Sequence, residues 1–214
     1  MKAAPALVVD NLSQRYGDLV LFTHLSFRVA AGRALVVTGE NGSGKSTLLR
    51  TIAGLMAPDA GAVRLEGGAD EATIAEQCHH VSFLNATKPE LTATENLALW
   101  RDILGEGEGA VSIAEALDRL GLSDFANSRV EILSTGLRRR VALARVLVAH
   151  RPLWLLDEPT AALDQASCGL VAEMIEAHLK AGGLAVIATH LDLGIEGLDT
   201  LDLTPASSTA AASP

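Results

Sequence analysis

A chain of 214 residues holds one well-packed domain, with room for an inserted subdomain but not for two independent domains of that kind. Its hydrophobic content of 49% includes only 3% aromatics, a balance of Ala, Leu and Val that suits a helix-covered parallel sheet. The formal charge of −9, from 17 basic and 26 acidic residues, weighs against nonspecific binding to nucleic acid or to an anionic membrane surface.

The first residues, Met1 to Asp10, carry too short an apolar run for a secretory signal and no cleavage pattern. Short apolar, β-branched segments at Leu7–Val9, Leu21–Val29 and Ala62–Leu65 read as strands of a small antiparallel layer. Arg33–Thr38 reads as a buried strand, and Ser46–Ala53 as a helix that stops at Gly54. A further strand is expected at His80–Leu84. Helical spacing of Leu, Ile and Ala follows at Thr94–Leu104 and Ser112–Leu120, joined by the flexible glycine linker at 105–109. A helix from Ser134, a strand at Leu153–Asp157, a helix near Ser167–Lys180 and a strand at Leu184–Thr189 complete an α/β winding with a helical insertion. No apolar run approaches the roughly 20 residues that span a bilayer; the stretch at 141–156 is broken by Arg145, His150 and Arg151. The tail at 205–214 is low-complexity and expected to be disordered. Cys78 and Cys168 stand far apart, as in a reducing cytosol.

Gly39-Glu40-Asn41-Gly42-Ser43-Gly44-Lys45-Ser46 fits G-x-x-x-x-G-K-[ST] between the strand and the helix that this motif requires. Glycines let the backbone wrap phosphates with its N–H groups, and the helix N-terminus, continuing through Thr47, adds partial positive charge. Lys45 is placed to reach the β- and γ-phosphates and the Ser46 hydroxyl to ligate Mg²⁺. Leu153-Trp154-Leu155-Leu156-Asp157-Glu158 is an apolar strand ending in two acids, at the sheet edge where ligands bind. Asp157 suits Mg²⁺, and Glu158 suits the attacking water. Other features have plainer readings. Arg138-Arg139-Arg140 with Arg145 reads as a solvated or phosphate-facing helix face rather than a nucleic-acid patch. Cys78-His79-His80 alternate faces along a strand and cannot converge on one metal or haem.

Leu133-Ser134-Thr135-Gly136 before a basic helix, then Asp157-Glu158-Pro159-Thr160, Ala162-Leu163-Asp164 and Thr189-His190, together resemble the ABC-transporter ATPase family from Leu7 to about Leu203. The resemblance implies a P-loop NTPase, ABC-type nucleotide-binding domain spanning 1–204, with an antiparallel β subdomain and a helical subdomain inserted at about 86–133. It implies that ATP is sandwiched head to tail between two copies, with Ser134 and Gly136 contacting the γ-phosphate held by the opposite copy. Asp164 would speak across that interface, His190 would act beside Glu158 and Lys45 as the γ-phosphate switch, and Tyr16 would stack on adenine.

The segment Lys88–Trp100, the arginine-rich 134–140 and the run 151–164 are similar to the ATPase subunit of the bacterial cytochrome c maturation system. That similarity implies docking to integral membrane permease subunits on the cytoplasmic face of the inner membrane, with hydrolysis serving haem export or release of a haem-loaded chaperone. The same motifs would serve another ABC exporter or importer, or a weakly hydrolysing regulatory module. Two positions depart from the family pattern. Leu137 stands where a glutamine usually follows the signature, and Phe83 or Asn85 is nearest to the usual glutamine beyond the His80–Leu84 strand; Gln77 falls before it.

Overall fold

The computed structural model describes residues 4–69, 72–107 and 109–203, so the tail at 205–214 lies outside the described residues. Strand β1 (Ala6–Tyr16) turns at Gly17-Asp18 into β2 (Leu19–Ala30), and β4 (Ala60–Glu66) pairs on the other side of β1, giving an antiparallel sheet in the order β2-β1-β4. The turn needs a left-handed residue, and Gly17 supplies φ 59° without steric cost. Asn11 and His24 also take positive φ where the β1–β2 register shifts, and His24 Nδ1 meets Asn11 Oδ1 at 2.8 Å across the irregularity.

The second sheet is wholly parallel, in the order β5-β6-β7-β3-β8: Cys78–Val81, Leu153–Asp157, Leu184–Ala188, Ala34–Thr38 and Asp199–Asp202. Its central strands are apolar up to their last residues, Asp157 in β6 and Thr38 in β3, because both faces are covered. Leu153 and Leu155 face α1 (Lys45–Ile52) and the antiparallel sheet, in one core with Leu48, Leu49 and Val186. Trp154 and Leu156 face the other way, in a core shared with α3 (Ala93–Leu104), α4 (Ile113–Arg119), α5 (Thr135–Val148) and α6 (Gln165–Lys180). His178 of α6 stacks on Trp154 with ring centroids 3.8 Å apart.

The inserted helices start where their sequences allow. Thr92 and Glu95 form a reciprocal capping box at α3, while Ser112, Ser134 and Asp164 cap α4, α5 and α6 by accepting from the N–H three residues on. Two short 3-10 turns, Ser123–Phe125 and Val130–Ile132, lead from α4 to the Ser134 cap.

Three details differ from the sequence reading. The strand expected at His80–Leu84 is β5, four residues ending at Val81; Phe83 and Leu84 are 65% and 74% exposed and lie beyond it. The one-turn helix α2 (Ile74–Gln77), with a capping box at Thr73 and Glu76, and the edge strand β8 were not anticipated. Gln77 is held by its own turn, accepting from Ala69 N and donating to Ala72 O. Cys78 packs in the α1-side core, and its neighbour His79 bonds Ala149 O.

Candidate nucleotide-binding site

Parallel strands deliver all their carboxyl ends to one edge, and that edge is where the chemistry-bearing residues meet. Strand β3 ends at Thr38 and runs into the loop Gly39–Gly44; β6 ends at Asp157 with Glu158 next; β7 ends beside Thr189 and His190. A cleft of about 450 Å³ opens there. Its floor is Asn41, Gly42, Gly44, Lys45, Ser46 and Thr47, its inner wall Asp157 and Glu158, and its rim Tyr16, Leu19, Leu21 and Phe83.

The loop is shaped for an anion. Gly44 takes φ 102° as the N-cap of α1 and offers no side chain, and the first turn carries no acid. The first N–H groups of α1 are therefore left to face the cleft with the positive end of the helix dipole. Gly39, at φ 136°, has no room for a side chain: a Cβ would lie 2.8 Å from Ser43 Oγ and 2.5 Å from Leu203 O. Ser43 Oγ is buried and has no hydrogen-bond partner among the described residues. Lys45 Nζ folds back to donate to Gly39 O at 2.6 Å and Glu40 O at 3.0 Å. The ammonium thus braces its own loop from within.

Glu158 is held on every side. Its backbone adopts φ 46°, a left-handed conformation costing about 1 kcal/mol or more for a residue with a side chain. Its N–H donates to Ala188 O at 2.8 Å. Thr189 Oγ1 donates to Oε2 at 3.2 Å, and His190 Nδ1 lies 3.1 Å from Oε1. The carboxylate therefore has a fixed direction at the cleft wall.

The other candidates lie apart from this cleft. Ser134 and Asp164 are exposed helix caps and Gly136 is half-buried; none of the three lines the cleft of its own chain. Gly136 is packed against the loop carrying Asp164, where an added Cβ would sit 3.2 Å from Ala162 O. Gly39, Glu40 and Ser43 support the loop, and His190 faces a neighbouring groove with Thr38. Phe83 stands at the rim where the resemblance expects a glutamine, and Asn85 Oδ1 accepts from Arg139 instead of facing the cleft.

The basic run is absorbed by main-chain oxygens. Arg138 donates to Leu133 O and Glu131 O, and Arg140 to Leu120 O and Gly121 O. Arg139 is 3% exposed; burial depresses its pKa below the usual guanidinium range, and the charges of Asp157 and Glu158 act against that depression. Arg145, buried on the same helix, is pushed down to about 10 by burial and lies over the Trp100 ring at 4.6 Å. No sequence signal distinguished Arg139 from its neighbours, because its partners are carbonyls of distant segments.

A glycine loop between a parallel strand and an uncapped helix, faced by two acids from a neighbouring strand, defines a P-loop nucleotide-binding domain. The ABC transporter family model matches residues 22–161, and the chain belongs to the ABC transporter family of ATPases, within it to the family of CcmA proteins. The cytochrome c biogenesis ATP-binding export protein CcmA of Mesorhizobium japonicum is 50% identical over 194 residues, covering 90% of this chain and 96% of that protein. CcmA of Chelativorans sp. is 49% identical over 198 residues, covering 92% and 97%. Among solved structures, the ATP-binding cassette MJ0796, described as a post-hydrolysis dimer bound to ADP and Pi, superposes with a TM-score of 0.72 at 27% identity, over 86% of this chain and 88% of that one.

Proposed function

We propose that this chain is the ATP-hydrolysing subunit of an export complex serving cytochrome c biogenesis, acting as a pair of copies docked on integral membrane subunits. The observation that carries the reading is the identity of 50% to a CcmA protein over nearly the whole length of both chains. Among the described residues, no helix is long and apolar enough to cross a membrane. In this reading, partner subunits hold the chain at the cytoplasmic face.

In this reading the loop N–H groups and Lys45 hold the triphosphate, and Tyr16, three-quarters exposed at the rim, stacks on adenine. Lys45 exchanges the carbonyls of Gly39 and Glu40 for phosphate oxygens. Water attacks the γ-phosphorus, the bond to the bridging oxygen of ADP breaks, and Glu158 accepts the water's proton. Thr189 and His190 keep the Glu158 carboxylate directed at that water. The Ser46 hydroxyl and the Asp157 carboxylate are hard oxygen donors lining one cleft, which fits Mg²⁺, an ion held by one or two carboxylates together with substrate phosphates. When bound, Mg²⁺ neutralises charge on the phosphates.

The exposed Ser134 and the half-buried Gly136 complete the reading: they serve the γ-phosphate of a second copy, and Asp164 contacts that copy. The MJ0796 dimer, with 27% identity, supports pairing of this kind. Two measurements test the proposal. ATP turnover of the complex should exceed that of a Lys45→Ala version by about 100-fold, and capture of the chain from membranes should recover integral subunits of a cytochrome c maturation system. Equal turnover, or recovery of an unrelated permease, refutes it.

A further inference from the structure

A guanidinium offers five N–H donors in one plane. In Arg139 all five are engaged: Nε donates to Pro159 O at 3.3 Å, Nη1 to Ser82 O at 2.7 Å and Asn85 Oδ1 at 3.2 Å, and Nη2 to Asp157 O at 2.7 Å and Glu158 O at 2.9 Å. Every acceptor is an amide oxygen, although two carboxylates lie close by.

Three of these oxygens belong to consecutive residues, Asp157, Glu158 and Pro159. In a regular strand successive carbonyls point to opposite sides, so three in a row cannot converge on one plane. They converge here because the chain turns at Glu158 through φ 46°. The arginine plane and the turn therefore specify one another. The same plane reaches across to Ser82 and Asn85, in the loop after β5. Its helix, α5, begins at the exposed Ser134 cap.

We infer that Arg139 is the positioning residue for Glu158: by gathering the carbonyls of 157–159 it fixes the turn that aims the carboxylate, and by holding Ser82 and Asn85 it ties that aim to the loop after β5. The inference rests on the reading of Glu158 as the base. A displacement of α5 when a second copy meets Ser134 is then carried by Arg139 to the Glu158 turn. Lysine cannot take the role, since an ammonium has three donors and no planar fork.

The test uses the full chain with its co-purified membrane subunits and measures ATP hydrolysis alongside binding of a fluorescent ATP analogue, for Glu158→Gln, Arg139→Gln, Arg139→Lys and Asn85→Ala. Arg139→Gln should bind the analogue and keep its KM within about threefold of the unaltered chain, while kcat falls about twentyfold or more, the pattern of a lost transition-state alignment. Arg139→Lys should fall between, and Asn85→Ala, which removes one acceptor at a loop, should lower kcat about threefold. A kcat for Arg139→Gln within about threefold of the unaltered chain, or a loss of analogue binding that matches the loss of kcat, overturns the inference. If Arg139→Gln does not fold, unaltered kcat in folded Arg139→Lys overturns it instead. Glu158→Gln separates the two ideas: full turnover there sinks the base assignment itself, whereas a dead Glu158→Gln beside an active Arg139→Gln sinks only the positioning role.

Discussion

His190 Nδ1 lies 3.1 Å from Glu158 Oε1, so an exposed histidine at the end of one strand touches a carboxylate that is 17% exposed at the end of the next. With Thr189 on the other oxygen, the carboxylate is clamped between two residues of a single segment. Replacing Glu158 by Gln keeps the shape, leaves one oxygen to accept where the carboxylate offers two, and removes the proton acceptor. Turnover should fall about 100-fold or more while ATP still binds. Light scattering in saturating ATP should then report a stable dimer, and a monomer under those conditions counts against the sandwich.

Lys45→Ala removes the donor that braces Gly39 O and Glu40 O and, in the proposed function, the charge that meets the phosphates. Charge-assisted hydrogen bonds of this kind are worth about 1.5–3 kcal/mol each, so nucleotide affinity should drop on the order of 100-fold. Titration calorimetry with ATP measures this directly, and unchanged affinity would remove Lys45 from the site.

Ser134 has one visible job, and the proposed function gives it a second. As the cap of α5 its hydroxyl accepts from Leu137 N at 3.2 Å, and Ser134→Ala should cost about 1 kcal/mol of stability. As a donor to the phosphate of a second copy, its loss should cost about 3 kcal/mol in turnover. Ser134→Asp isolates the second job, because aspartate caps well but repels phosphate. The Asp variant should melt like the unaltered chain yet turn over slowly; brisk hydrolysis by it would argue that Ser134 never meets a nucleotide.

Two buried histidines make the fold sensitive to acid. Burial pushes His79 down to about 3 and His178 down to about 4, each from an ordinary value of 6.5. Between those values and 6.5 the unfolded chain binds more protons than the folded one, so stability rises with pH in that window and is lost as pH falls. Full stability from this source is present above about pH 6.5. At pH 5 each histidine removes about 2 kcal/mol. Urea midpoints at pH 7.5, 6 and 5 should decline in that order. His178→Phe preserves the stack on Trp154 and should flatten the decline; an equally steep profile in that variant would acquit His178.

Much of this architecture was legible in the sequence where the signal was local. The Leu153–Asp157 run reads as a strand because burial on both faces leaves no polar position before Asp157, and the glycine loop reads as a phosphate cradle because all its parts are adjacent. Strand β8 escaped notice since it is a short, exposed edge, Asp-Thr-Leu-Asp, whose pairing to β3 is mainly between backbones. At β5 the exposed apolar Phe83 and Leu84 imitated a strand, while the true strand includes a buried histidine. Arg139 escaped for a different reason. Three adjacent arginines look alike, and what separates them is which distant carbonyls the folded chain brings near each one.

The contacts of Arg139 also bear on how freely this chain can drift. Because the guanidinium grips the main-chain oxygen of Ser82 and the side chain of Asn85, position 83 between them is released from any duty in that linkage. A phenylalanine can therefore stand there, at the mouth of the nucleotide cleft, without severing the loop from the turn at Glu158. Mutation can rewrite the most conspicuous letter of the segment and leave its wiring intact.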